Sequence, residues 1–136
     1  MNAEEIEALV KRFERADLPK SEWNHRAHII AGLHHVLHMD DAAAIARLKD
    51  EIERLGAFNG LTLVYNVTIT EAWVRLLRAF VQDHPGRTID QLAAGVIISP
   101  MSERVFLHRF YSESRLYEAG HAEFVEPDKA PLSWRG

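Results

Sequence analysis

Five of the eight histidines in this chain lie in one 14-residue stretch whose pattern is typical of a single helix. They are His25, His28, His34, His35 and His38. The imidazole ring ligates metal ions and exchanges protons near neutral pH. We therefore expect any chemistry of this protein to centre on this segment.

Helical spacing sorts these histidines into pairs. His25 and His28 are three residues apart, so they share a face and could chelate one ion, with His25 at the edge of the apolar stripe. His34 and His38 form an i, i+4 pair on the far side, which we expect to face water. His35 shares a face with His28, but seven residues of helix separate them by about 10 Å, too far for one metal ion. The alternative for His25 and His28 is a hydrogen-bonded, partly buried structural pair.

A metal site at His25 and His28 would need a further ligand. A catalytic zinc usually has three protein ligands, and di-iron bundles use two Glu-x-x-His motifs, a pairing that this sequence lacks. The residues on other helices that could supply a third ligand are His108, His121, Glu71 and Glu103. We predict His121 for that place, with a divalent metal ion as the cofactor.

Four further residues are candidates for ligand binding. Trp23 and Glu71 also have structural explanations, as a core aromatic and as part of a helix cap. Tyr65 and Asn66 lie in the irregular approach to a helix, and such loop positions carry function more often than core positions do. We predict a pocket lined by Trp23, His25, His28, Tyr65 and Asn66.

Composition excludes several function classes. The 136 residues suit one domain spanning 1–136, and 47% of them are apolar. Sixteen basic and twenty acidic residues give a net charge of −4 without a basic patch, so we expect no nucleic-acid partner. The absence of cysteine excludes disulfides and thiolate ligands. With no signal-peptide pattern and no apolar run of about 20 residues, we predict a cytoplasmic protein without a membrane partner.

The helices that position these residues are predicted from the spacing of apolar residues along the chain. This periodicity predicts an all-α, compact bundle of six or seven helices. We expect the helix over 69–80 to be central, opened by a capping box at Thr68-x-x-Glu71. Residues 61–67 form an extended lead into it, and the tail 126–136 is extended and lies across the bundle. The other helices are predicted over 3–16, 21–38, 42–55, 88–95, 99–110 and 112–124.

Three segments together carry a family resemblance. They are Trp23-Asn24-His25-Arg26-Ala27-His28, then Tyr65-Asn66-Val67-Thr68-Ile69-Thr70, then Tyr111-Ser112 with Pro127-Asp128. Over about residues 18 to 132 the chain resembles a family of small bacterial helical proteins with no established activity. That family has Trp-x-His-x-x-His early, Tyr-His-Glu-Thr-Ile-Thr mid-chain and Tyr-Ser followed by Pro-Asp near its end.

The resemblance implies a site of which this chain keeps half. His25 and His28 match the early pair, whereas the family's His-Glu pair falls on Asn66 and Val67, and its late arginine falls on His121. A His-x-x-His pair facing His-Glu would be a metal or acid–base site. Weak metal binding, a shell rebuilt with His121 or His108, and lost chemistry all remain open for this chain.

From these observations we predict a protein that binds a small molecule, with a metal ion at the His-x-x-His pair as a further expectation. The alternative is a non-catalytic interaction protein, a homodimer in which His25 and His28 are structural and tail aromatics such as Trp134 contact the partner. A pocket enclosing the two histidines and residues 65–66 favours the first hypothesis. Solid packing with a broad apolar patch favours the second.

Overall fold

The computed structural model describes residues 1–62 and 64–136, and it confirms the all-α bundle. Its five α-helices are α1 (Ala3–Arg15), α2 (His25–His38), α3 (Asp41–Phe58), α4 (Val67–Asp83) and α5 (Ile89–Ile98). Three short helical turns follow, two of the 3-10 type at Pro100–Ser102 and Phe106–Arg109 and one π turn at Arg115–Ala119. Among the described residues, none of the helices has both the length and the apolar character needed to span a bilayer.

Local signals predict α1 and the start of α5 well. Ile6, Val10 and Phe13 of α1 are fully buried, as the spacing predicts. The capping box predicted before α5 is present: the Gln91 side chain accepts the Thr88 backbone amide at 3.1 Å. Both features depend only on residues within one or two helical turns.

The central helix is α2, rather than the 69–80 helix that the sequence favours. It contacts each of the other four α-helices, and its residues are buried almost all round from Ala27 to Val36. Gly32 allows α4 to approach closely, since a Cβ there would lie 3.0 Å from a methyl group of Leu77. His34 and His35 therefore lie inside the bundle, whereas His25 and His28 are partly exposed and His38 is exposed.

The start of α4 differs from the prediction. The N-cap is Asn66, whose side chain accepts the Ile69 amide at 2.9 Å, so the predicted capping box at Thr68 and Glu71 is wrong. Thr68 is instead buried, with its hydroxyl donating to the Glu123 carbonyl. The predicted extended lead over 61–67 includes Leu63, which lies outside the described residues.

The chain after α5 is less helical than predicted. The helices expected over 99–110 and 112–124 are replaced by the three short turns, whose local backbone hydrogen bonds are accompanied by bonds to distant parts of the chain. For example, the Lys129 amide donates to the Phe110 carbonyl at 2.9 Å. The tail crosses the bundle as predicted, with the Trp134 ring 5.0 Å from that of Phe80.

Helix α3 continues past residue 55, where the sequence predicts its end because a glycine follows. Gly56 is buried within the helix, which continues to Phe58. The Asn59 side chain then donates both to the Leu55 carbonyl and to the Leu18 carbonyl. This link to the α1–α2 connection fixes the helix end. A glycine stop signal depends only on neighbouring residues, so it cannot predict such a long-range bond.

Candidate functional site

A groove of about 600 Å³ lies beside the first turn of α2. Its walls come from the segment before α2, from α2 and α4, and from the turns over 104–117. The lining side chains that carry a charge or an aromatic ring are Lys20, Trp23, His25, His28, Trp73, Arg104, His108 and Tyr117. A cleft of this size is within the range that small-molecule sites occupy.

His25, the first residue of α2, is held in one orientation. Its Nε2 lies 3.1 Å from the carbonyl oxygen of Met101, which can only accept, so Nε2 carries the proton. Ser99 fixes that carbonyl by capping the turn Pro100–Ser102. In the neutral ring, Nδ1 is then left as an acceptor for a ligand or a proton.

His28 lies one turn further along the same face. Its ring stacks on Trp23 with the centroids 5.4 Å apart, and it meets the edge of Phe13 at 5.5 Å. Burial, with a smaller contribution from His25, lowers the pKa of His28 to about 4. This ring is therefore neutral at pH 7 and able to accept a hydrogen bond.

The groove is electrostatically one-sided. Lys20 and Arg104 are exposed at its wall, and neither has an ion-pair partner among the described residues. Within the described part of the chain, no carboxylate lines the groove. His108 and Tyr117 are hydrogen-bonded to each other at 2.8 Å across it. This arrangement attracts anions and offers flat rings for stacking.

A smaller cavity of about 60 Å³ lies on the inner side of the groove wall. The two share His25, His28, Ile69 and Trp73, so these side chains separate them. The rest of the cavity lining is almost entirely aliphatic. Its inner wall includes Leu48, Ile52, Val74 and Leu77.

The predicted ligand-binding residues are only partly brought together. Trp23 lies in the groove wall with His25 and His28, whereas Tyr65, Asn66 and Glu71 do not line it. Asn66 uses both its polar atoms within the fold: it caps α4 and donates to the Leu116 carbonyl at 2.9 Å. The Glu71 carboxylate forms a salt bridge with Arg75 at 2.7 Å. Tyr65 is partly buried, and this burial raises the pKa of its hydroxyl.

The predicted metal ligands His25, His28 and His121 are not a close set of three. In the described residues, the set whose ligand atoms lie within 4.8 Å of one another is Glu14, His34 and His35. The backbone of His121 accepts the Val67 amide at the start of α4, and its ring lines neither the groove nor the small cavity. A metal ion at His25 and His28 stays a prediction: His108 lines the same groove, but in the part of the chain that the structure describes no third ligand atom forms a set within 4.8 Å with these two histidines.

One further expectation about the histidines is wrong. Of the pair expected to face water, His38 is exposed, whereas His34 is only 9% exposed because α1 covers that side of α2. Sequence reasoning missed the contribution of Lys20, Arg104 and Tyr117 to the groove, and it named His108 only as a possible metal ligand. A weak signal exists in the spacing of Arg104 and His108, but the turn that presents them was predicted to be a regular helix.

Comparisons with protein-family models, with curated proteins and with solved structures gave no match for this chain.

Proposed function

We propose that the groove binds a small organic anion that contains a planar ring. The observation that carries this proposal is the pair of cations Lys20 and Arg104, without ion-pair partners in the described residues, beside aromatic walls. A bound carboxylate would supply the negative charge that the described lining of the groove lacks.

The ring of the ligand would be recognised by Trp23 and Trp73. Trp23 already stacks on His28, so its face is held parallel to a second flat group with 16° between the planes. Trp73 is held by the edge of His25 and by Phe106. Pre-positioned aromatic side chains lose little conformational entropy when a ring binds, which favours affinity.

The acidic group of the ligand would be recognised by charge and by hydrogen bonds. Lys20 supplies a flexible point charge, and Arg104 supplies a planar guanidinium that can hold a carboxylate with two bonds. The neutral His28 and the Nδ1 atom of His25 remain able to accept a hydroxyl or amide proton of the ligand. Anion binding by the two cations requires no metal ion at the histidines.

The direct test compares 1-naphthoate with 1-naphthamide, which have the same ring but differ in charge. Binding is followed by tryptophan fluorescence, with Trp23→Phe and Trp73→Phe assigning the signal to the groove. We expect naphthoate to bind about tenfold more tightly than naphthamide, a difference of about 1.4 kcal/mol. Equal binding of the two compounds, or no binding of either, would overturn the proposal.

A charge-reversal pair adds a second check. Lys20→Glu/Arg104→Glu should abolish the preference for naphthoate while leaving naphthamide binding within about twofold, because only the charge recognition is removed. Arg87→Glu is the matched control, since Arg87 is exposed and lies outside the groove. If Arg87→Glu lowers naphthoate affinity as much as Lys20→Glu or Arg104→Glu alone does, the net charge of the protein rather than the groove explains the preference.

The alternative of a homodimer has one observation in its favour. Val105 and Tyr117 are large apolar side chains that are exposed at the groove wall. Trp134, by contrast, packs on Phe80 and donates to Asp83 at 2.8 Å within the same chain. Sedimentation velocity of the wild type and of Val105→Glu decides between the hypotheses: a dimer that the substitution dissociates would place a second copy in the groove.

A further inference from the structure

A second histidine cluster lies further along α2, where α1 and α3 cover it. His34 is 9% exposed and His35 is 0% exposed, and their rings lie edge to face with centroids 5.7 Å apart. One ligand atom from each ring and one carboxylate oxygen of Glu14 all lie within 4.8 Å of one another. Helices α1 and α2 thus bring two imidazoles and a carboxylate close to one point.

Each of the two imidazole rings has a nitrogen atom buried inside the fold. The Nδ1 atoms of His34 and His35 are buried, and neither has a hydrogen-bond partner among residues 1–62 and 64–136. An unpaired polar atom in such a place costs free energy, so it calls for an explanation. A bound ligand that accepts a lone pair from both nitrogens would supply one.

The opposite nitrogens are held by carboxylates. His35 Nε2 lies 2.7 Å from Oε1 of Glu51, whose side chain is also 0% exposed, and His34 Nε2 lies 3.3 Å from Oε2 of Glu7. An ionised carboxylate only accepts, so the proton of each neutral ring is on Nε2 and the lone pair is on Nδ1. Metal-binding histidines commonly donate their second N–H to a carboxylate in this way.

We infer that Glu14, His34 and His35 bind a divalent first-row transition-metal ion, with Glu51 and Glu7 as partners that orient the two rings. Two imidazole nitrogens and one carboxylate oxygen form a donor set that suits zinc or ferrous iron, whereas magnesium and calcium prefer oxygen alone. The two rings come from α2, Glu14 and Glu7 from α1, and Glu51 from α3. This site is separate from the groove, because six residues of helix between His28 and His34 span about 9 Å.

The third ligand is the adjustable part of the site. The Glu14 side chain is 40% exposed, which gives an ion a route from solvent. Arg47 Nη1 lies 3.9 Å from Oε1 of Glu14, and this exposed contact is weak enough for an ion to displace. Ligand atoms around a tetrahedral ion are about 3.3 Å apart at zinc bond lengths, so ion binding would draw the three ligand atoms closer together, with the exposed Glu14 the freest of them to move.

The first experiment titrates Zn²⁺ alone into the full chain, expressed without an affinity tag, and follows heat and thermal stability. We expect one equivalent to bind and the midpoint of unfolding to rise with zinc concentration, because the ion binds only the folded state. Glu14→Gln is the variant that leaves the core intact and should weaken binding about 100-fold. Glu118→Gln, an exposed substitution elsewhere, is its matched control and should bind as the wild type does.

The second experiment assigns the ion to one histidine cluster. His34→Gln should lower zinc affinity about 100-fold, and the double variant His25→Gln/His28→Gln should leave it within about twofold. The reverse result would place the ion at the groove histidines and overturn the inference. Failure of the wild type to bind zinc, cobalt or iron would overturn it as well.

Nitrogen-15 NMR of the histidine rings tests metal ligation directly, because the Nδ1 chemical shifts would not change on adding zinc if the rings had only a structural role. Without metal, both His34 and His35 should show the tautomer with the proton on Nε2. Zn²⁺ should then shift their Nδ1 resonances and leave those of His38 unchanged. Glu51→Gln should weaken binding about 10- to 100-fold through loss of ring orientation. Unshifted Nδ1 resonances in the presence of bound zinc would contradict the assignment.

Discussion

The two histidine clusters of α2 have opposite electrostatic surroundings. Lys20 and Arg104 lie beside the first cluster, and no carboxylate among the described residues lines that groove. Three carboxylates surround the second cluster, from Glu7, Glu14 and Glu51. On this basis we propose anion binding beside the first cluster and cation binding at the second, although both clusters consist of the same residue type on the same helix. The neighbours of an imidazole, rather than the imidazole itself, determine which ligand it suits.

The largest expected effect comes from breaking the buried pair of the second cluster. His35→Leu leaves the Glu51 carboxylate fully buried without its partner, which should lower the free energy of unfolding by about 3–5 kcal/mol. His25→Leu, in the groove, removes one hydrogen bond of a partly exposed ring and should cost about 1 kcal/mol. Urea denaturation measures both values.

The double variant His35→Leu/Glu51→Leu is the control for this prediction. It replaces both partners by apolar groups, so it should regain most of the stability lost in His35→Leu. If the double variant is no more stable than the single one, the loss comes from packing and the hydrogen-bonded pair contributes little.

The next effect concerns the pH dependence of the first cluster. Between pH 6.5 and about 4, His28 takes up a proton in the unfolded chain but not in the folded one. The free energy of unfolding should therefore fall as the pH falls through this range, by about 3 kcal/mol over the full shift. Urea denaturation at pH 7 and pH 4.5 measures the slope, and His28→Gln should flatten it.

His34 provides the comparison within the second cluster. Its pKa is also lowered, first by burial and then by His38, while Glu7 opposes the shift. His34→Gln should therefore flatten the slope as well. A slope that neither substitution alters would contradict the assignment of pH sensitivity to these rings.

A moderate effect is expected at the helix terminus that positions the groove. Asn24 caps α2 by accepting the Ala27 amide at 2.9 Å, and it also lines the groove. Asn24→Ala should lower the free energy of unfolding by about 1 kcal/mol and weaken naphthoate binding. Zinc affinity should stay the same, because the second cluster lies more than two turns away. A parallel loss of zinc affinity would show that the clusters are coupled through α2.

The smallest effects are expected when a substitution in one site is tested for binding of the other site's ligand. Glu14→Gln should change naphthoate affinity by less than about twofold, and Lys20→Glu/Arg104→Glu should change zinc affinity by less than about twofold. Charges separated by roughly a Debye length are largely screened at physiological ionic strength. Fluorescence and calorimetry on the same protein preparations measure both. A larger crossed effect would mean that the two regions act as one site.

The sequence predicts the fold best where burial follows a helical period. In α1, Ile6, Val10 and Phe13 recur at that period and are all fully buried. At the start of α4 both Asn66 and Thr68 are suitable cap residues, and the choice between them depends on remote groups. The carbonyls of Gly120 and His121 accept the Thr68 and Val67 amides, so the helix begins at Val67 with Asn66 as its cap.

The candidate sites were less predictable than the helices. Trp23, His25 and His28 were expected to share a pocket, and the structure places them in one groove wall. His34 was expected in water, because an amphipathic pattern assumes that only one face of a helix is covered. That assumption fails for α2, which has neighbours on nearly all sides. The pairing of His35 with Glu51 joins residues 16 positions apart on different helices, and no local pattern reports it.

By itself the sequence determined that this protein is helical and that five histidines share one helix, since both follow from residues within a few turns of one another. The tertiary structure alone decided which histidines meet cations and which meet carboxylates. Those charges come from α1, from α3 and from the turns over 104–117, far along the chain from α2. Proton affinity and metal ligation depend on groups within a few ångströms in space, and that proximity arises only when the helices pack.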